Sequence, residues 1–190
     1  MNQTPSSLRA HHLPLETATV EKIRPFGALL SRDAGGTLTG LDYYRGAVAV
    51  SKPVNFQCAS SPELSLASLQ RRPFQVHYLE RHFQHTQSFI PLGGKPWIAV
   101  LAPPTDGDMP DLDAARAFRF EGNQGLCMHI GTWHEFPFPV EDQTDMVVVL
   151  STQTSQDLRT RATNGIEAFG PDLDKKDMTL RAGVTLVIDV

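Results

Sequence analysis

From Phe74 onward the chain alternates short apolar runs with turn residues. The runs are Phe74–Leu79, Ser88–Ile90, Trp97–Leu101, Arg116–Glu121, Gly125–Ile130, Met146–Ser151 and Val184–Val190. Between them stand Pro91-Leu92-Gly93-Gly94, the polar stretch 103–113, Gly122-Asn123 and Gly131-Thr132. Runs this short, rich in β-branched and aromatic residues and punctuated by Gly, Pro and Asn, predict an all-β barrel or sandwich. A parallel sheet would need helical crossovers, and the pattern supplies none.

The ends and connections read differently. Residues 1–12 are polar and aperiodic and predict a flexible N-terminus ahead of a single domain over 13–190. Glu16–Ile23 predicts a short helix capped by Thr17 and stopped by Pro25. Phe26–Leu30 and Tyr43–Val50 predict strands either side of the turn Asp33-Ala34-Gly35-Gly36, while leucines 64, 66 and 69 suggest a helical turn or two over Pro62–Gln70. Residues 152–182 carry no clear period and predict a long loop or small lobe, within which Asp172, Asp174, Lys175, Lys176 and Asp177 read as a solvated mixed-charge surface.

Composition narrows the function classes. The 190 residues suit one domain with a sizeable core, and 14 Gly plus 14 Pro disfavour a helical bundle. A net charge of -4 offers no positive field for nucleic acid. Two cysteines, Cys58 and Cys127, make no disulfide framework and suit a reducing cytoplasm. There is no leader-like start, and no apolar run approaches the roughly 20 residues of a membrane span. No nucleophile elbow, phosphate loop or dinucleotide fingerprint is present. The aspartates at 106, 108, 111 and 113 lack calcium-loop spacing and read as solvated.

Chemistry concentrates in histidines: five of the seven lie between residues 77 and 134. In a strand, Tyr78, Glu80 and His82 share one face and Arg81 takes the other, so Glu80 and His82 can act together and Arg81 reads as structural. Gln87 can return beside them after a turn. If Gly131-Thr132 is a two-residue hairpin turn, Ile130 pairs with Trp133 and His129 with His134. Two imidazoles so placed can meet one metal or small polar ligand, or form a polar cross-strand pair. Cys127 shares the His129 face, either lining a pocket or buried as an inert thiol. His77 reads as a core or edge histidine, His85 as a solvated loop residue and Trp97 as core.

Two blocks, His77-Tyr78-Leu79-Glu80-Arg81-His82 with Thr86-Gln87-Ser88-Phe89-Ile90-Pro91-Leu92, and Gly125-Leu126-Cys127-Met128-His129-Ile130-Gly131-Thr132-Trp133-His134, resemble the signature of the ureidoglycolate lyases. So do the connector Pro110–Phe118 and the opening Arg24-Pro25-Phe26-Gly27. The resemblance runs from about residue 13 to about residue 150. It implies a cupin-type β-barrel with a few short helices, a homodimer, and cleavage of ureidoglycolate, a small anionic hydroxy acid of allantoin and purine catabolism, to glyoxylate and urea. It also implies a divalent metal such as nickel held by Glu80, His82 and Gln87 with His129 or His134, catalytic roles for His82, His129 and His134, and substrate contacts from Gln87 and Trp133; Lys95, beside Gly93-Gly94 at a strand entrance, is a candidate cation for the carboxylate, and Glu135, beside the second motif, a candidate catalytic carboxylate. The chain departs from the pattern where Glu135-Phe136-Pro137 follows His134, at Ser151-Thr152-Gln153-Thr154, and in the unaligned residues beyond. Other readings therefore stay open: a related cupin lyase, hydrolase or isomerase of another small hydroxy- or oxo-acid, or a non-catalytic cupin that binds one.

Overall fold

A computed structural model of the chain describes residues 8–35, 44–161 and 167–190. In chain order the elements are strand β1 (Arg9–Thr17), helix α1 (Val20–Ile23), β2 (Gly27–Leu30), β3 (Pro62–Leu69), β4 (Gln75–Val76), β5 (Tyr78–Arg81), β6 (Ser88–Leu92), β7 (Gly94–Ala102), β8 (Arg116–Gly122), β9 (Gly125–Met128), β10 (Trp133–His134), β11 (Phe138–Pro139), β12 (Thr144–Ser151), α2 (Thr152–Arg161), β13 (Ala168–Gly170), β14 (Leu173–Asp177), α3 (Met178–Ala182) and β15 (Val184–Asp189).

The strands form two sheets, one in the order β13-β14-β5-β10-β7-β8-β1-β15-β4 with β11 beside β7, the other in the order β2-β9-β6-β12-β3. The larger sheet curls strongly, and the architecture is a cupin-type β-barrel. Its curl is visible in the topology: β4 and β5, separated in the chain only by His77, lie far apart along the ladder.

Strand β7 shows how the core is divided. Trp97, Ala99 and Leu101 face the smaller sheet and join Phe89, Leu126, Met128, Met146 and Val148 in one buried cluster. Ile98, Val100 and Ala102 alternate to the other side and join Leu79, Trp133, Met178 and Leu186 in a second. Trp97 is core, as expected, stacked on Phe120 at 4.2 Å between ring centroids and donating from Nε1 to the Gln124 carbonyl. Burial on both faces makes β7 read as a continuous apolar run rather than an alternating one.

Several local expectations are corrected. The N-terminal segment is already in β1 at Arg9, because residues 9–14 pair in parallel with β15 and residues 15–17 with β8. That ladder takes the residues assigned to the first half of the Glu16–Ile23 helix, so α1 starts later and Thr19, not Thr17, accepts the Lys22 amide as its cap. Pro62–Gln70 is mostly strand β3, with Leu64 and Leu66 on one exposed face and Leu69 turned to the core, since eight ladder partners on β12 outweigh any helical tendency. Within Tyr43–Val50, Tyr43 lies outside the described residues, and Tyr44–Gly46 form a 3-10 turn with Tyr44 and Arg45 at positive φ. Among its described residues the segment 152–182 contains two helices and two strands, and β14 is zipped onto β5 from Asp174↔Arg81 to Asp177↔Tyr78.

Candidate metal centre and active site

Register across three strands builds the site. Lys175 of β14 lies opposite Glu80 of β5, Glu80 lies opposite His134 of β10, and His134 lies opposite Leu101 of β7. Directly paired residues share a face, and Leu101 belongs to the cluster between the sheets. The row Lys175–Glu80–His134 therefore points into the barrel. His82 joins it by alternation from Glu80, as the strand period requires. Its Nε2 is 4.0 Å from Glu80 Oε1, and that of His134 is 3.7 Å from the same oxygen. Ligand atoms of Glu80, His82 and His134 all lie within 4.8 Å of one another, an arrangement that could hold a metal ion.

The imidazoles are oriented as ligands. His82 Nδ1 is 3.2 Å from the Asp172 carbonyl oxygen and His134 Nδ1 is 3.0 Å from that of Thr132. A carbonyl can only accept, so each Nδ1 carries the proton and each Nε2 keeps a free lone pair. Both Nε2 atoms are buried without a hydrogen-bond partner. Burial then disfavours the imidazolium: it drives His82 well below the ordinary histidine range, with His134 and His85 adding repulsion, and takes His134 down to about 4. Glu80 is pushed up to about 7 by burial, against the pull of Lys175. Unpaired lone pairs on neutral imidazoles beside a buried carboxyl fit a cation.

Asp172 ties this cluster to the C-terminal segment. One carboxylate oxygen accepts the amides of Phe83 and Gln84, at 3.0 and 2.7 Å; the other accepts His85 Nδ1 at 2.9 Å and the Ser151 hydroxyl. Burial opposes its ionisation, but bonds from His85 and Ser151 outweigh this and hold the carboxyl well below the usual range. In front of the cluster lies a cavity of about 120 Å³ lined by Tyr78, Glu80, His134, Glu135, Phe136, Leu158 and Lys175. The site thus draws on β5, β10, α2 and β14 together.

A family model described as ureidoglycolate lyase matches residues 10–167, most of the chain and most of this site. The chain belongs to the ureidoglycolate lyase family. It is 32% identical over 146 residues to a ureidoglycolate lyase of Pseudomonas savastanoi pv. phaseolicola (strain 1448A / Race 6), covering 72% of this chain and 81% of that protein. It is 33% identical over 146 residues to the ureidoglycolate lyase of Pseudomonas putida (strain W619), covering 72% of this chain and 83% of that one.

Against this ureidoglycolate lyase frame, the expected site residues divide. Glu80, His82 and His134 come together, and Glu135 lines the cavity. Gln87 is buried with Oε1 unpartnered. By alternation it shares the inward side of Phe89, whose ring centroid is 6.2 Å from that of His134.

His129 does not join them. Leu126 and Met128 occupy the core, so alternation turns Cys127 and His129 to the opposite face of the sheet, where Cys127 is still covered. His129 is exposed, its Nε2 3.2 Å from the Arg24 carbonyl. The expected His129–His134 hairpin is absent because β9 pairs with β2 and β6 in one sheet, whereas β10 pairs with β5 and β7 in the other. Gly131, at φ 84°, lets the chain cross between the sheets, its amide donating to the His82 carbonyl.

Lys95 is likewise elsewhere, its Nζ donating to the Asp142 and Gln143 carbonyls. Trp133 faces the second core, under the Arg81 guanidinium and bonded to Thr105. Arg81 is structural as expected, paired with buried Asp174 at 3.1 Å. Cys127 is a buried thiol whose pKa is raised by burial. His85 is fully buried rather than solvated. The residues missed outright are Asp172 and Lys175. Their charged neighbours hid them, since Leu173 is followed by four charged residues that show no strand alternation.

Asp172→Ala leaves buried donors of Phe83, Gln84 and His85 unpaired and should cost about 3–5 kcal/mol in urea unfolding. It should also weaken metal binding about 10- to 100-fold by chelator competition. In chelator-treated protein, His82 and His134 bind fewer protons folded than unfolded. Their contribution to stability is therefore present above pH 6.5 and is lost as the pH falls towards about 4. Glu80, raised from 4.5 to about 7, acts in the opposite sense, contributing below pH 4.5 and losing that contribution as pH rises through about 7. Removing it by Glu80→Gln should steepen the fall in urea midpoint between pH 7 and pH 5; an unchanged slope would contradict the assignment.

Proposed function

We propose that this chain is a carbon–nitrogen lyase that splits ureidoglycolate into glyoxylate and urea in allantoin breakdown. A divalent cation, nickel among the candidates, would be held by Glu80, His82 and His134, with Gln87 as a further oxygen donor. The observation that carries the reading is the convergence of unpartnered buried donors on a small cavity in a chain of this family.

The reaction is an internal elimination and consumes no water. The carbinol hydroxyl loses its proton, the oxygen electrons form the aldehyde carbonyl, the carbon–nitrogen bond breaks, and the urea nitrogen takes up a proton. A bound cation would supply positive charge for the substrate oxygens. Glu135 lines the cavity beside His134 and is the carboxyl proposed to accept the hydroxyl proton and return it to nitrogen. Its Oε1 accepts the Phe136 amide at 2.9 Å, which fixes the group at the cavity wall. Phe136 and Leu158 wall the same space with apolar surface and limit water at the reacting carbon.

A cytoplasmic location is supported by Cys58 and Cys127, both free thiols. A homodimer is supported by the outer face of the smaller sheet, where Leu64, Leu66, Ile90 and Leu92 are exposed on strands that flank β12.

Metal-loaded protein given ureidoglycolate should release urea and glyoxylate in equal amounts. His82→Ala and His134→Ala should lose that turnover with the fold kept, and Glu135→Gln should lower kcat about 10²- to 10⁴-fold with metal retained. Urea release no faster than in buffer would refute the substrate. Sedimentation should give twice the 21.0 kDa chain mass, and Leu66→Lys should shift it to monomer; a monomeric wild type would exclude the dimer.

A further inference from the structure

We propose that Lys175 grips the substrate carboxylate and sets the preference for a hydroxy acid over an uncharged carbinolamide. The inference rests on the lyase reading above. The cavity would have to accept an anion although two of its walls, Glu80 and Glu135, are carboxyls and the whole chain carries a net -4. Positive charge must therefore be supplied locally. Among the described residues lining the cavity, Lys175 is the lysine or arginine side chain.

Its surroundings leave the ammonium available. Lys175 makes no ion pair among the described residues; its Nζ lies 5.4 Å from the centroid of the Tyr78 ring. Glu80 and Glu135 feel its charge, but among the described residues no carboxylate comes within ion-pair distance, which leaves the ammonium for a ligand to complete. The other cations nearby are engaged. Arg81 and Lys176 both pair with Asp174, and Arg72 donates to the Phe136 and Pro137 carbonyls while lying over the Phe138 ring. Lys95, the cation expected for this task, is bound to the β12 turn.

Placement is rigid as well as free. Lys175 is in direct register with Glu80, on the same inward row as His134. Its strand is pinned by Asp172 before it and by the Arg81–Asp174 pair beside it. An anion held there would present its adjacent carbon to Glu80, His134 and Glu135. Lys175 also lies beyond residues 10–167, the span matched to the family. The acid-binding group would thus come from the C-terminal segment and the reacting groups from the two motifs.

The test compares ureidoglycolate with N-(hydroxymethyl)urea, which breaks the same bond to give formaldehyde and urea but has no carboxylate. Lys175→Met should raise KM for ureidoglycolate about 10- to 100-fold more than it raises KM for the neutral analogue, and so erase the preference, while Lys175→Arg keeps it. A Lys175→Met protein that retains the preference, or loses both substrates equally, overturns the proposal. Binding of glycolate to the metal-free proteins, followed by NMR titration, separates this from the lyase reading. If neither compound yields urea, the lyase reading fails; Lys175 stands if wild type binds glycolate and Lys175→Met does not, and falls if the two bind alike or wild type does not bind.

Discussion

Asp172 is the interaction on which the site depends. Its carboxylate closes the loop after His82 by accepting the Phe83 and Gln84 amides, holds His85, and takes the Ser151 hydroxyl from the end of β12. Its carbonyl fixes the His82 ring and its amide donates to Asp157 of α2. One fully buried residue therefore joins the first motif, the last strand of the smaller sheet and the C-terminal segment. A buried carboxylate is tolerable only because both oxygens are bonded. That condition holds β14 against β5 and Lys175 beside Glu80.

The centre is costly by design of its surroundings. Neutral imidazoles with bare Nε2 atoms, a largely buried carboxyl and an unpartnered amide oxygen at Gln87 are polar groups withdrawn from water without full compensation. Such groups persist where a ligand supplies what the protein withholds. The flanking face is the reverse: Arg81, Asp174, Thr105 and Trp133 are bonded or packed to one another. One strand thus carries an ion-paired structural side and an open chemical side, separated by the strand period alone. A slip of one residue would exchange them.

Membership of the ureidoglycolate lyase family and this geometry account for each other. The two matched motifs deliver Glu80, His82 and His134 to one point, and the cavity beside them has room for a small acid. Segment 152–182 then acts as wall and tether, contributing Leu158 from α2 and Lys175 from β14.

Strand period and turn chemistry were enough to identify an all-β barrel or sandwich, the shared face of Glu80 and His82, the opposite face of Arg81 and the core position of Trp97. All of these are local properties of an extended chain. The motifs were enough to find the family. Whether a neighbouring run pairs with its sequence neighbour or leaves for another sheet is not local, and there the reading failed: Gly131 turns β10 away from β9, leaving His129 on the outside and carrying His134 to Glu80. The polar run at 172–177 looked solvated because its charges find their partners about 90 residues away, at Arg81 and the loop after His82. Sequence determined which residues could act and on which side of a strand each would lie. Tertiary structure decided which of them meet, because burial and charge pairing are settled by contacts between segments that only the folded sheets bring together.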